Sequence, residues 1–174
     1  ILVLLAEGFD VWGAASLGAL RAAELHPFGM RPQGAIAEAY AAGRIIGDDE
    51  VAVAHAPAEF GHRALSLAQV DVRATLAAAL RVRVLAGDEA RRIRAVSHGL
   101  FFKDRTIPAL ITAAADLLPT PERFIAWLPT GFVSQKARDA QGAITAAVDA
   151  PFTACRHEPP PETLFLKRLR DERP

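Results

Sequence analysis

A serine at the opening of a helix is the first residue in this chain whose setting suggests chemistry. In Gly13-Ala-Ala-Ser16-Leu-Gly18-Ala-Leu-Arg21 a short apolar stretch runs into a turn of small residues, and Ser16 stands where the next helix begins. Small side chains let a substrate come close to the backbone. The unpaired N–H groups of a helix N-terminus, aligned with the helix dipole, favour negative charge. A hydroxyl placed there lies beside a ready oxyanion site. The arrangement is akin to the nucleophile elbow of hydrolases, with two residues between Gly13 and Ser16 where that motif has one. The plainer reading makes Ser16 an N-cap, stabilising by about 0.5–2 kcal/mol.

Lys103, in Leu100-Phe-Phe-Lys-Asp-Arg105, is the second candidate. A lysine beside two phenylalanines and near Arg105 could be desolvated, as a general-base lysine needs. Against that stands a surface lysine lying over apolar rings. Asp48-Asp49-Glu50 forms a carboxylate-rich turn of the kind that suits a hard cation, or a solvated turn. No histidine or further carboxylate stands at ligand spacing from it, and no metal is expected. His55 and His62 lie seven apart with Pro57 between them, and His26 and His98 have no motif around them. Cys155 has Arg156 and His157 as neighbours, which favours thiolate, but it stands alone in the tail. Arg21 and Glu24, three apart on one helix, suit a surface pair.

These residues must be positioned by a chain that is mostly helical. Residues 1–7 look like a helix with Gly8 after it, and Phe9–Trp12 like a buried strand. Helices are expected at 17–25 and 33–42, with a loop over 28–32. Residues 51–55 read as a strand or the start of a short helix, with alternation weakly favouring the strand. Longer helices are expected at 67–84 and 89–98, the latter capped by Asp88. Three more are expected at 108–118, 121–128 and 134–149, punctuated by Pro119, Pro121 and Pro129. The expected class is α/β, helix-dominated with a small sheet near the N-terminus. Because the chain opens on Ile1 inside an apolar run, it reads as truncated at its start. One domain is expected over 1–150, its N-terminal part missing, followed by a loosely ordered C-terminal tail over 151–174.

Composition narrows the function. Twenty Lys+Arg balance 20 Asp+Glu, against the basic excess of a dedicated nucleic-acid binder. One cysteine excludes an internal disulfide framework. No run of 18 apolar residues exists to span a bilayer. Alanine, at 36 of 174 residues, favours helices. No targeting signal is visible, and a cytoplasmic location is expected.

The segment Gly13–Met30, G-A-A-S-L-G-A-L-R-A-A-E-L-H-P-F-G-M, resembles the signature of the TfuA-like family, whose form is close to G-A-S-S-M-G-A-L-R-A-A-E-L. Three further stretches agree in order: Ala37–Pro57 with G-R-I-I-G-D-D-E, Val72–Leu76 (V-R-A-T-L) and Phe101–Thr106 (F-F-K-D-R-T). The resemblance runs over about residues 1 to 130.

It implies an unusual α/β fold with a Ser–Lys pair. It also implies work beside a YcaO-type enzyme in peptide thioamidation, a step in making ribosomally derived modified peptides. The protein would hydrolyse the C-terminal thiocarboxylate of a ThiS-like sulfur carrier protein, supply the sulfide, and help the partner bind its precursor peptide. The serine maps onto Ser16 and the lysine onto Lys103. Backbone N–H groups at Leu17 and Gly18 would hold the oxyanion, and Arg21 and Arg105 would be binding residues. No cofactor, nucleic acid or membrane is implied. Ala15 stands where the family commonly has a serine, Leu17 where it has methionine, and Asp71 where asparagine is common. The rival reading is a non-catalytic adaptor that joins YcaO, carrier and precursor, using the arginines at 81, 83, 91, 92 and 94.

Overall fold

The computed structural model describes residues 1–150 and 160–171. The chain divides into two compact units, Ile1–Ile45 with Arg138–Pro174, and Ile46–Ala137. The fold is helix-dominated α/β with one small parallel sheet near the N-terminus.

The first unit begins with α1 (Leu2–Ala6), which Gly8 ends as expected, its φ of +78° allowing the amide to return to the Leu5 carbonyl at 3.1 Å. Strand β1 (Trp12–Gly13), α2 (Leu17–Leu25) and β2 (Arg31–Pro32) form a short β-α-β unit, with Trp12 opposite Arg31 and Gly13 opposite Pro32. Two differences from the sequence reading appear here. The strand is shorter and later than Phe9–Trp12, and Phe9 is exposed. The 28–32 segment, read as a loop, supplies the partner strand, because the Arg31 and Gln33 amides reach the Val11 and Gly13 carbonyls at 2.8 and 3.0 Å. A two-residue strand containing proline carries too few residues for a periodic signal.

Gly13 is the hinge of this unit. A Cβ there would run into the Gly18 carbonyl, Met30 and Ala22, so only glycine lets α2 start against β1. Leu5, Ala22 and Met30 form a small core beneath. Helix α3 (Ala35–Ala41) packs on α2.

The second unit holds α4 (Gln69–Arg81), α5 (Gly87–Gly99), α6 (Ile107–Leu117) and α7 (Pro121–Gly131). Each helix packs on the next and α7 returns to α4, closing a ring around Val72, Leu76, Ile93, Leu110, Phe124 and Leu128. Helix α4 is shorter than the 67–84 reading, because the Leu67 amide is drawn to the Arg105 carbonyl at 2.6 Å. The cap of α5 is Ala86, not Asp88. Glu89 accepts the Ala86 amide at 2.7 Å, while Asp88 pairs with Arg92. Pro129 lies in the last turn of α7, where it costs one hydrogen bond and does not stop the helix.

The strand expected at 51–55 does not form. Asp48–Glu50 makes a single tight helical turn, and only His55 finds a strand partner, in an isolated bridge to Ala64. Short alternation of Ala and Val specifies a strand only where a neighbouring edge is available.

Helix α8 (Gln135–Asp149) follows, and α9 (Leu164–Asp171) lies in the segment read as tail. Cys155, Arg156 and His157 lie outside the described residues.

Candidate functional site

The turn between β1 and α2 is built as the sequence suggests, with one addition that only the backbone reveals. Ala15 has φ of +67°, and the Ser16 amide donates to the Ala14 carbonyl at 2.8 Å. An i to i+2 hydrogen bond about a residue of positive φ is the strained form of the γ-turn, rare for a residue carrying a Cβ. Ser16 is the N-cap of α2, its carbonyl accepting the Ala19 amide at 2.9 Å. Its backbone, at φ −134° and ψ −134°, leaves the side chain making no cap hydrogen bond. So the capping contribution of the hydroxyl is absent, and the group is half-exposed and free for other work.

The amides of Leu17 and Gly18 open the helix and have no backbone acceptor. Leu17 is exposed beside them. Arg21, one turn further along α2, is exposed and pairs with Glu24. Asp10 and Arg31 flank the sheet, 2.8 Å apart, and the Arg31 guanidinium lies 5.1 Å from the Trp12 ring centre. What this unit presents is a free hydroxyl on a strained turn, next to two open N–H donors and the positive end of a helix.

Lys103 and Arg105 belong to the second unit. Lys103 is exposed, its Nζ 5.9 Å from the centres of both the Phe101 and Phe102 rings. Of the two readings of Lys103, a desolvated base and a surface lysine over apolar rings, the geometry is that of the second. The amine lies over aromatic rings and in water.

Arg105 has the opposite fate. It is fully buried, and its guanidinium donates to the carbonyls of Ser97, Asp49, Leu67 and Leu100 at 3.0–3.4 Å. Asp49 stands 3.8 Å away, and burial pushes the guanidinium below its ordinary range. Its donors are spent inside the protein.

The carboxylate turn is likewise committed. Glu50 is buried and takes both ends of the Arg73 fork, one at 2.9 Å, with His98 3.8 Å away. Among the described residues no three His, Cys, Asp or Glu side chains converge as a metal-holding group. In the Asp48-Asp49-Glu50 turn read as a possible cation site, Glu50 is taken by Arg73 and Asp49 stands 3.8 Å from Arg105.

Sequence reasoning missed a second buried polar cluster. Asp71 on α4 accepts the Lys136 amide at 3.0 Å and stands 3.5 Å from the Ser134 hydroxyl, so it caps α8 from another helix. Burial raises its carboxyl above the usual range. Burial lowers the Lys136 ammonium, which donates to the Val51 carbonyl at 2.8 Å. Asp71 was visible as a departure from the family pattern, but nothing local pointed to Lys136. His26 and His62 take no part in these clusters, and His55 Nδ1 bonds the His62 carbonyl at 2.8 Å.

The family model described as TfuA-like protein matches residues 1–106. The chain belongs to the TfuA-like family. No curated protein matches it. The matched span carries the Ser16 turn in one unit of this TfuA-like chain and Glu50, Arg73, Lys103 and Arg105 in the other. Among the described residues no helix is long and apolar enough to cross a membrane.

Proposed function

We propose that this TfuA-like protein hydrolyses the C-terminal thiocarboxylate of a ThiS-like sulfur carrier, supplying sulfide to a YcaO-type enzyme for peptide backbone thioamidation. The observation that carries this reading is the Ser16 hydroxyl: it stands at a helix N-terminus on a strained turn and makes no cap hydrogen bond. A hydroxyl kept only for helix stability would be bonded to the helix it opens.

In this scheme the Ser16 Oγ attacks the thiocarboxylate carbon and its proton passes to a base, the role for which the family resemblance names Lys103. The Leu17 and Gly18 amides hold the oxyanion. Collapse of the tetrahedral species expels hydrosulfide and leaves an ester on Ser16. Water then cleaves the ester, returns the hydroxyl, and releases the carrier as its carboxylate. Hydrosulfide leaves far more easily than an amine, which lightens the demand on the site.

The test is sulfide release from a thiocarboxylated carrier by the wild type, Ser16→Ala and Lys103→Ala. The proposal expects release to fall by about 10³-fold or more in both. Release that ignores both substitutions sinks the catalytic reading and leaves the adaptor reading. The adaptor reading draws on the exposed arginines of α4 and α5, and predicts lost partner binding on their substitution with sulfide release unchanged.

A further inference from the structure

A cleft of about 330 Å³ lies between α4 and α5 in the second unit. Its floor is Leu76, Ala77, Leu80 and Ala90, and Arg73, Arg91 and Arg94 stand along it. Arg73 is held by Glu50. Arg91 and Arg94 are three apart on α5, both exposed, and neither has a carboxylate partner among the described residues. Arg92, which faces elsewhere, is the one α5 arginine that its own helix neutralises, through Asp88. Arg81 and Arg83 add two exposed guanidinium groups at the C-terminal end of α4. The chain as a whole is formally neutral, while on this face Arg81, Arg83, Arg91 and Arg94 make no ion pair among the described residues.

We propose that the α4–α5 cleft is a docking site for an acidic segment of a protein partner, one that sets an apolar side chain between carboxylates. Charge complementarity selects the carboxylates. The guanidinium forks of Arg91 and Arg94 offer bidentate donors at the rim, where exposed charge steers encounter. The floor selects the apolar side chain. Leu80, 39% exposed, and Ala77 present hydrocarbon to solvent with nothing in the second unit covering them. A free inorganic anion would leave that floor wet. A single-stranded nucleic acid would need aromatic platforms for its bases, and the cleft has none. The inference uses none of the residues of the sulfide reading, and it deepens the adaptor reading, with which it shares Arg91 and Arg94, by naming the chemistry of the segment that docks.

The experiment is fluorescence anisotropy of a labelled peptide of alternating Glu and Leu against the full chain, beside an all-Glu peptide and a single-stranded RNA. The wild type should bind the Glu-Leu peptide saturably, more tightly than all-Glu, and more weakly as salt rises. Arg91→Glu with Arg94→Glu should weaken binding about tenfold or more, and Leu80→Ser should weaken it by a smaller factor. Both arginines are exposed, and glutamate is as good a helix former. If the reversal lowers the melting temperature, Arg91→Gln with Arg94→Gln reads the same loss. No saturable peptide binding overturns the proposal. So does binding that ignores the arginine variants, equal binding of all-Glu, or RNA that binds more tightly through the same arginines.

Discussion

The two units handle polar groups in opposite ways. In Ile46–Ala137 the buried charged side chains of the family-matched segments are paired off. Glu50 holds Arg73, Arg105 is consumed by four carbonyls, and Asp71 caps α8. In the unit that begins the chain, the matched segment leaves a hydroxyl and two amides open and keeps a residue with a Cβ at positive φ. A buried polar group without a partner costs about 1–3 kcal/mol, so a fold tends to pair its polar groups. Where it leaves them open at a surface and adds strain, a ligand is the natural partner. A residue that matches a family pattern is therefore no guide to chemistry by itself. Arg105 and Ser16 match equally well and do different jobs.

Four substitutions test that contrast. Arg105→Met removes the donors of four carbonyls and leaves the carboxylate of Asp49 without its buried cation, and should cost about 3–5 kcal/mol in urea unfolding. A loss under about 1 kcal/mol would mean that water replaces the guanidinium and that the pairing is not structural. Gly13→Ala pushes a Cβ into the Gly18 carbonyl and Met30, and should cost about 1–3 kcal/mol. It should disturb Ser16 as well, so sulfide release should fall with it.

Asp71→Asn reads the buried carboxyl. Because burial raises its folded pKa, the native state holds the proton more tightly than the unfolded chain. This group's contribution to stability therefore falls as pH rises from its ordinary value of 3.8 through the raised one. Unfolding curves of wild type and variant, subtracted across that window, should show the slope disappear in Asp71→Asn. An unchanged slope assigns the pH dependence to other carboxylates.

Ser16→Ala should have the smallest effect on stability, within about 0.5 kcal/mol, since the hydroxyl bonds nothing in the helix. A loss of 1–2 kcal/mol would restore the capping role.

Helix-rich architecture was legible because apolar residues recur at helical spacing over 10 or more residues, as in α4 through α8. Strand β2 was not, since Arg31–Pro32 is a strand only through the Val11 and Gly13 carbonyls it meets. The serine turn was legible in its small residues, but whether Ser16 caps depends on its ψ, which no sequence pattern prints. The burial of Arg105 was hidden because arginine is ordinarily exposed. A signal did exist: the matched segments carry Asp49 and Glu50 alongside Arg73 and Arg105, and equal opposite charges suit internal pairing better than a cation.

Asp139 on α8 accepts the Ile36 amide at 2.8 Å, at the start of α3, and a Cβ at Gly34 would collide with it. A contact between residues 36 and 139 also sets a schedule. On the ribosome the segment Ile46–Ala137 is complete before its last neighbours emerge, whereas the serine turn's unit waits for residue 139. At about 5–20 residues per second that wait is on the order of 5–20 s. For that interval the nascent chain carries Ser16 without the finished unit around it, so of the two units the one that holds the serine turn is the later to mature.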